Sequence, residues 1–228
     1  MRRSLLALLL ALSVASAGCA GAEGRKAQEL LEESERAFAG LETYKLGGSM
    51  RMKASFGELA VAMHVAVDQK AGTMLMTMSS DDLPGFPEMR MAAGPDGFWV
   101  ETDGTWQAFP LPAGAASGAD QFDIIPFVKD VDVEEGRSVG GEAAVKITGV
   151  LDPGTFQAGF LAGLPDGVDV DASFADTRVV LFVSEATRLP LRMLIDQSFE
   201  VEGEEFTVSM DLAVTGVNEP VEIPSPPA

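Results

Sequence analysis

The chain has 228 residues, 46% of them hydrophobic, and a formal charge of −19, so it is long and apolar enough to fill one sizeable core. So acidic a surface repels phosphate backbones and anionic headgroups, which argues against a nucleic-acid partner and against adsorption to membranes through a basic patch. The single cysteine, Cys19, has no partner within the chain for a disulfide.

The first segment reads as a leader. Arg2 and Arg3 precede a run from Leu5 to Val14 that is nearly pure Leu and Ala. That run is shorter than the roughly 20 apolar residues a spanning helix needs. Ser16, Ala17 and Gly18 then stand directly before Cys19. Small residues ahead of a cut site mark an exported chain, and a cysteine at the cut is the layout of a bacterial lipoprotein. Residues 1–18 are therefore expected to be removed and Cys19 to carry the acyl chains, although Ser16 occupies a place where such leaders usually have leucine. The alternative is ordinary cleavage after Ala15, Ala17 or Gly18, which leaves a free thiol. Two or three acyl chains hold a protein stably at a bilayer, whereas one does not. Losing Arg2 and Arg3 takes the charge from −19 to −21. Residues 19–25 form a tether of at most about 20 Å.

A single domain is expected over residues 26–217. Lys26–Leu41 has a stripe at helical spacing (Leu30, Leu31, Ser34, Ala37, Phe38, Leu41) with Glu29, Glu32, Glu33, Glu35 and Arg36 on the other face. From Thr43 the period becomes two. Tyr44, Leu46, Met50, Met52 and Phe56 fall on one parity, then Leu59, Val61, Met63, Val65 and Val67, then Met74, Met76 and Met78. Met89 and Met91, Phe98 and Val100, and Thr105–Phe109 continue the pattern across the turn signal Asp103-Gly104. This predicts an antiparallel meander with one apolar face. Pro110–Asp120 reads as a loop, Gln121–Asp130 as a short helix-like patch and Val133–Val139 as a strand. Gly140-Gly141 turns into an alternating strand, Glu142–Leu151. Asp152-Pro153 then opens a helix whose apolar side is Phe156, Phe160, Leu161 and Leu164. Thr177–Ser184, Leu189–Glu200 and Glu204–Val217 are the closing strands, and Asn218–Ala228 is a proline-rich tail expected to be extended or loose.

Eight of the 11 methionines lie between Met50 and Met91: Met50, Met52, Met63, Met74, Met76, Met78, Met89 and Met91. Strands normally prefer Val, Ile and aromatics. Methionine is unbranched and adapts to varied apolar partners. A methionine stripe on one sheet face fits either a close-packed core or the wall of a pocket for acyl chains, and periodicity does not separate the two.

Residues for chemistry are sparse. His64, the only histidine, lies on the parity opposite Met63 and Val65 and is expected to face outward. No nucleophile elbow, phosphate loop or His/Cys metal spacing occurs. Asp130, Asp132 and Glu134, and Asp169 with Asp171, lack the EF-hand order of ligands and read as solvent-facing strand positions. No cofactor or metal is expected, and the chain reads as a non-enzyme.

In order and spacing, several segments resemble the LolA/LprG-like superfamily, particularly the actinobacterial LprG/LppX-type lipoproteins. They are Cys19, "LLEESERAFAGLETYKL", "FWVETDGTWQAF" (Phe98–Phe109), the patch at Phe122–Val128, "GRSVGGEAAVKITGVLDP" (Gly136–Pro153), "FVSEATRLPLRM" (Phe182–Met193) and "GVNEPVEIPSPP" (Gly216–Pro227). The resemblance implies an α+β fold: a curved antiparallel half-barrel whose concave face is covered by helices around an apolar cavity. It implies a lipid or glycolipid ligand and no catalytic residues, and it favours the pocket reading of the stripe. The wall would be the eight methionines, with Phe98, Phe156 and Phe160 at the lid or rim. The expected protein is a monomer held to the outer face of the cytoplasmic membrane by acylated Cys19. It would carry or present an amphiphile, with an envelope transporter as a possible partner. The rival reading is an envelope sensor that binds a protein partner with the same fold.

Overall fold

Alternation of inward and outward residues shapes most of the strands, and glycine-containing turns reverse many of them. The computed structural model describes residues 24–55, 57–81, 88–95, 97–102, 104–109, 124–151, 172–201 and 203–224. Helix α1 spans 24–39. The strands are β1 (Thr43–Ala54), β2 (Gly57–Asp68), β3 (Thr73–Ser79), β4 (Met89–Gly94), β5 (Gly97–Thr102), β6 (Thr105–Phe109), β7 (Val128–Val139), β8 (Glu142–Leu151), β9 (Ala172–Phe174), β10 (Thr177–Ser184), β11 (Pro190–Val201) and β12 (Glu204–Val217).

They form one antiparallel sheet in the order β6-β5-β4-β3-β2-β1-β12-β11-β10-β8-β7. β9 pairs with β11 beyond the end of β10. Two meanders thus meet at a central seam, where β1 pairs with β12 from Tyr44↔Val217 to Lys53↔Thr207. Gly140 (φ 59°) and Gly141 (φ 88°) make the two-residue turn between β7 and β8, and two successive positive φ values are what such a turn demands. The seam is fastened at one end by the start of the tail. Thr43 Oγ1 donates to the Glu219 carbonyl at 2.6 Å, and Glu42 N donates to Asn218 Oδ1 at 2.8 Å.

The structure corrects the middle of the chain. The helix-like patch expected over Gln121–Asp130 is a single 3-10 turn, Ile125–Phe127, within the described residues. The backbone turns extended at Val128 (φ −75°, ψ 127°), and strand β7 begins at once, five residues before the expected Val133. β7 is a bulged edge strand. Asp130 sits at φ 50°, and the register shifts between Lys129 and Asp132 and again between Glu134 and Arg137. The helix expected after Asp152 lies outside the described residues.

One face of the sheet carries the core. α1 buries Ala27, Leu30, Leu31, Ser34 and Phe38, in the amphipathic pattern its sequence predicts. Leu30, Leu31 and Phe38 join Tyr44, Val65, Val67, Ile147, Leu181 and Leu212 in one cluster. The Phe38 and Tyr44 rings lie 4.6 Å apart. Two ion pairs place the helix over the β7–β11 half: Lys26 with Glu135 of β7, and Glu33 with Arg188 in the β10–β11 turn at 3.0 Å.

Candidate ligand-binding site

Residues directly opposite on paired strands share a face, so the register decides where the methionine stripe lies. Met89 stands opposite Met78, Met78 opposite Met63, and Met63 opposite Gly48. The row continues through Leu212, Met193, Leu181 and Ile147. A second row runs Met91, Met76, Val65, Leu46. A third runs Phe98, Ala93, Met74, Val67, Tyr44. Met50 faces Met210 and Met52 faces Val208. The eight methionines therefore share the face that carries Tyr44, Leu46 and the α1 contacts. Met193 and Met210 extend the stripe across the seam and were not among the expected wall residues. Their parity with Ile195 and Leu212 was the available signal; only the β1–β12 pairing makes it adjacent to the others.

Burial divides the stripe. Met63 (3% exposed) and Met74 (0%) are filled core, as is Met193. Met50, Met76, Met78 and Phe98 pack against that core on one side and remain partly exposed. Met52, Met89, Met91 and Met210 are also partly exposed. So the fully buried members of the stripe are close-packed core, and the partly exposed ones lie around them. An open groove of about 400 Å³ lies where β11 begins and β12 ends, lined by Leu189, Pro190, Leu191, Val214 and Val217 with Glu142 and Glu219. Phe156, Phe160 and Cys19 lie outside the described residues.

Gly48 interrupts the longest methionine row for a steric reason. A Cβ there would sit 1.9 Å from the Asp211 carbonyl oxygen across the seam. The two central strands approach more closely than side chains on both would allow, and glycine in a strand interior commonly marks such an approach.

Searches of protein-family models and of curated proteins return no match. Solved structures do. The Mycobacterium tuberculosis lipoprotein LppX aligns over 86% of this chain and 99% of its own, with a TM-score of 0.56 and 17% identity. LprF from Mycobacterium bovis aligns over 90% and 98%, with a TM-score of 0.54 and 15% identity. The chain has the LppX fold. The curved, open antiparallel sheet expected from the LolA/LprG-like resemblance is therefore the one found.

Between this LppX-like sheet and α1, three buried side-chain oxygens among the described residues have no hydrogen-bond partner: Ser34 Oγ, Thr177 Oγ1 and Gln197 Oε1. Each such group costs about 1–3 kcal/mol when left dry. The opposite face is mixed, with Leu75, Ala92, Trp99, Val180 and Leu194 beside its polar residues. His64 is exposed there, in a row with Thr77, Arg90, Glu101 and Trp106. Arg90 Nη1 meets Glu101 Oε2 at 2.6 Å and its guanidinium lies 5.7 Å from the Trp106 ring centroid. Arg192 grips Asp211 through two bonds, Nε to Oδ1 at 2.7 Å and Nη2 to Oδ2. That hydrogen bonding holds the Asp211 carboxyl below the ordinary aspartate range, against the opposing effect of burial, and raises Arg192. Among the described residues no group of acids, His or Cys is placed to hold a metal ion, and no helix is long and apolar enough to cross a membrane.

Proposed function

We propose that this protein is an exported lipoprotein, anchored through acylated Cys19, that binds acyl chains of a lipid, glycolipid or other amphiphile and carries or presents them in the cell envelope. The observation that carries the reading is the in-register methionine wall: deformable apolar side chains on the covered face, partly exposed around a filled base. Each methylene removed from water against such a wall contributes about 0.8 kcal/mol. The likeness to LppX, itself a lipoprotein, supports the same reading through the fold. On this reading the site works by burial alone, as a monomer, without catalysis.

Anchor and wall complement each other. The acidic domain is repelled by anionic headgroups, and a short acylated tether overcomes that repulsion and holds the site within reach of the bilayer. An envelope transporter is the natural partner for loading or delivery. The test is native mass spectrometry of the chain purified from an acylating bacterial host, followed by lipid extraction. A co-purifying amphiphile at defined stoichiometry is expected. An apo mass with nothing extractable, together with no uptake of added fatty acid, refutes the proposal.

A further inference from the structure

The covered face is apolar across most of its width, and two oxygens interrupt it side by side. Gln197 on β11 is 1% exposed and Thr177 on β10 is 0% exposed. Arg178 of β10 pairs with Asp196 of β11, so one further step sets Thr177 opposite Gln197. Thr177 shares the parity of Val179 and Leu181, and Gln197 that of Met193, all core residues of the covered face. The neighbours across the other strand pairs are Leu151, opposite Thr177, and Val208, opposite Gln197. Val208 in turn faces Met52 of the methionine wall. None of these three carries a hydrogen-bond donor.

The Gln197 amide has one possible orientation. Its Nε2 donates to the Ala175 carbonyl at 3.0 Å and to the Ser198 carbonyl at 2.8 Å. A flipped amide would set its oxygen against both carbonyl oxygens. Both Nε2 hydrogens are spent, so Oε1 is left as a fixed acceptor with no donor. Thr177 Oγ1 has no partner either. Apolar ligand sites typically hold a few such polar groups, which fix orientation and select the ligand.

We propose that Gln197 and Thr177, both closed off in this structure, form a hydroxyl-binding subsite that a chain entering beside the methionine wall opens, and that the ligand is an amphiphile whose hydrocarbon chain bears a hydroxyl group. The inference rests on the acyl-binding reading above and narrows its ligand class. The ligand O–H donates to Gln197 Oε1, and its oxygen accepts from Thr177 Oγ1. A cationic donor is disfavoured, because none of the residues paired around the subsite is a carboxylate that could compensate a desolvated charge. A plain alkyl chain leaves both protein oxygens dry.

The experiment uses the full chain, stripped of bound lipid, and measures equilibrium affinity for octadecanoic acid and for a set of isomeric monohydroxyoctadecanoic acids. The hydroxyl is placed near the carboxylate, at mid-chain or near the methyl end. One isomer is expected to bind about tenfold tighter than octadecanoic acid, the size of one to two net hydrogen bonds. Gln197→Leu should abolish that preference and Thr177→Val, which keeps the side-chain shape, should reduce it to about threefold. Thr177→Val carries the test if loss of the Gln197 bonds to Ala175 and Ser198 prevents folding. Equal binding of every isomer, or a preference untouched by Thr177→Val, overturns the subsite and leaves acyl binding standing. Binding of no probe overturns both.

Discussion

The divided methionine stripe makes an asymmetric prediction for two residues on one strand. Met74 and Met78 share β3 and point to the same face, but Met74 is fully buried and Met78 is partly exposed. Truncation to alanine removes Cγ, Sδ and Cε, three methylene-sized groups, or about 2.5 kcal/mol of transfer free energy when burial is complete. Met74→Ala should therefore lose about 2.5–4 kcal/mol of stability once the cavity left behind is included. For a chain of this size that is a fall of about 5–15 °C in Tm. Met78→Ala should cost less, about 1.5–2 kcal/mol, because solvent already reaches part of the side chain. Its effect should be on binding. If a ligand chain covers the exposed part of Met78, at most about a third of it, losing that part weakens binding by about 0.8 kcal/mol or less, up to about fourfold in Kd. Differential scanning calorimetry and fatty-acid titration read the two effects separately. Equal stability losses for both variants, with unchanged acyl affinity in Met78→Ala, would refute the reasoning and make the whole stripe ordinary core.

Gly48→Ala drives a Cβ to 1.9 Å from a backbone carbonyl, whereas the same change at Gly47 meets only side-chain atoms of Thr215 and His64 at 3.4–3.5 Å. Chemical denaturation should show a loss of about 3 kcal/mol or more for Gly48→Ala and under about 1 kcal/mol for Gly47→Ala; similar values for both would contradict the close seam. Asp211 ionises in the fold below its unfolded value, so its contribution is complete above that unfolded value and is lost as pH falls through the folded one. Asp211→Asn should flatten the acid limb of a stability–pH profile, by under about 1 kcal/mol because the pair is half-exposed; an unchanged limb removes Asp211 as a contributor. Cys19→Ser should release the protein from the membrane fraction and eliminate any acyl adduct from its intact mass. A wild-type mature mass without an adduct would sink the anchor.

Parity carried most of this structure into the sequence. Met50 and Met52, Met63, Val65 and Val67, and the run from Phe206 to Val214 are placed on their faces by alternation alone, and Thr177–Ser184 and Glu204–Val217 match β10 and β12. Alternation is a local property, and it says nothing about which strand lies beside which. The pairing of β1 with β12 depends on contacts more than 150 residues apart, so Met193 and Met210 could not be joined to the stripe from their own surroundings. β7 was misread in part because a bulged edge breaks the period of two, and Ile124, Ile125, Phe127 and Val128 imitate a helical stripe over one turn. The Gln197 oxygen was equally illegible: a glutamine at an inward strand position is only a polar residue until its amide partners are known.

The seam also governs when the molecule can become itself. Synthesis runs from the N-terminus, so β1 waits unpaired on one side until residues 204–217 have been released. Until then two partial sheets each present an open edge, and the contacts that join them carry the largest loop-closure entropy in the fold. Folding should therefore be late and slow relative to synthesis. A chain truncated before Glu204 loses the middle of its sheet.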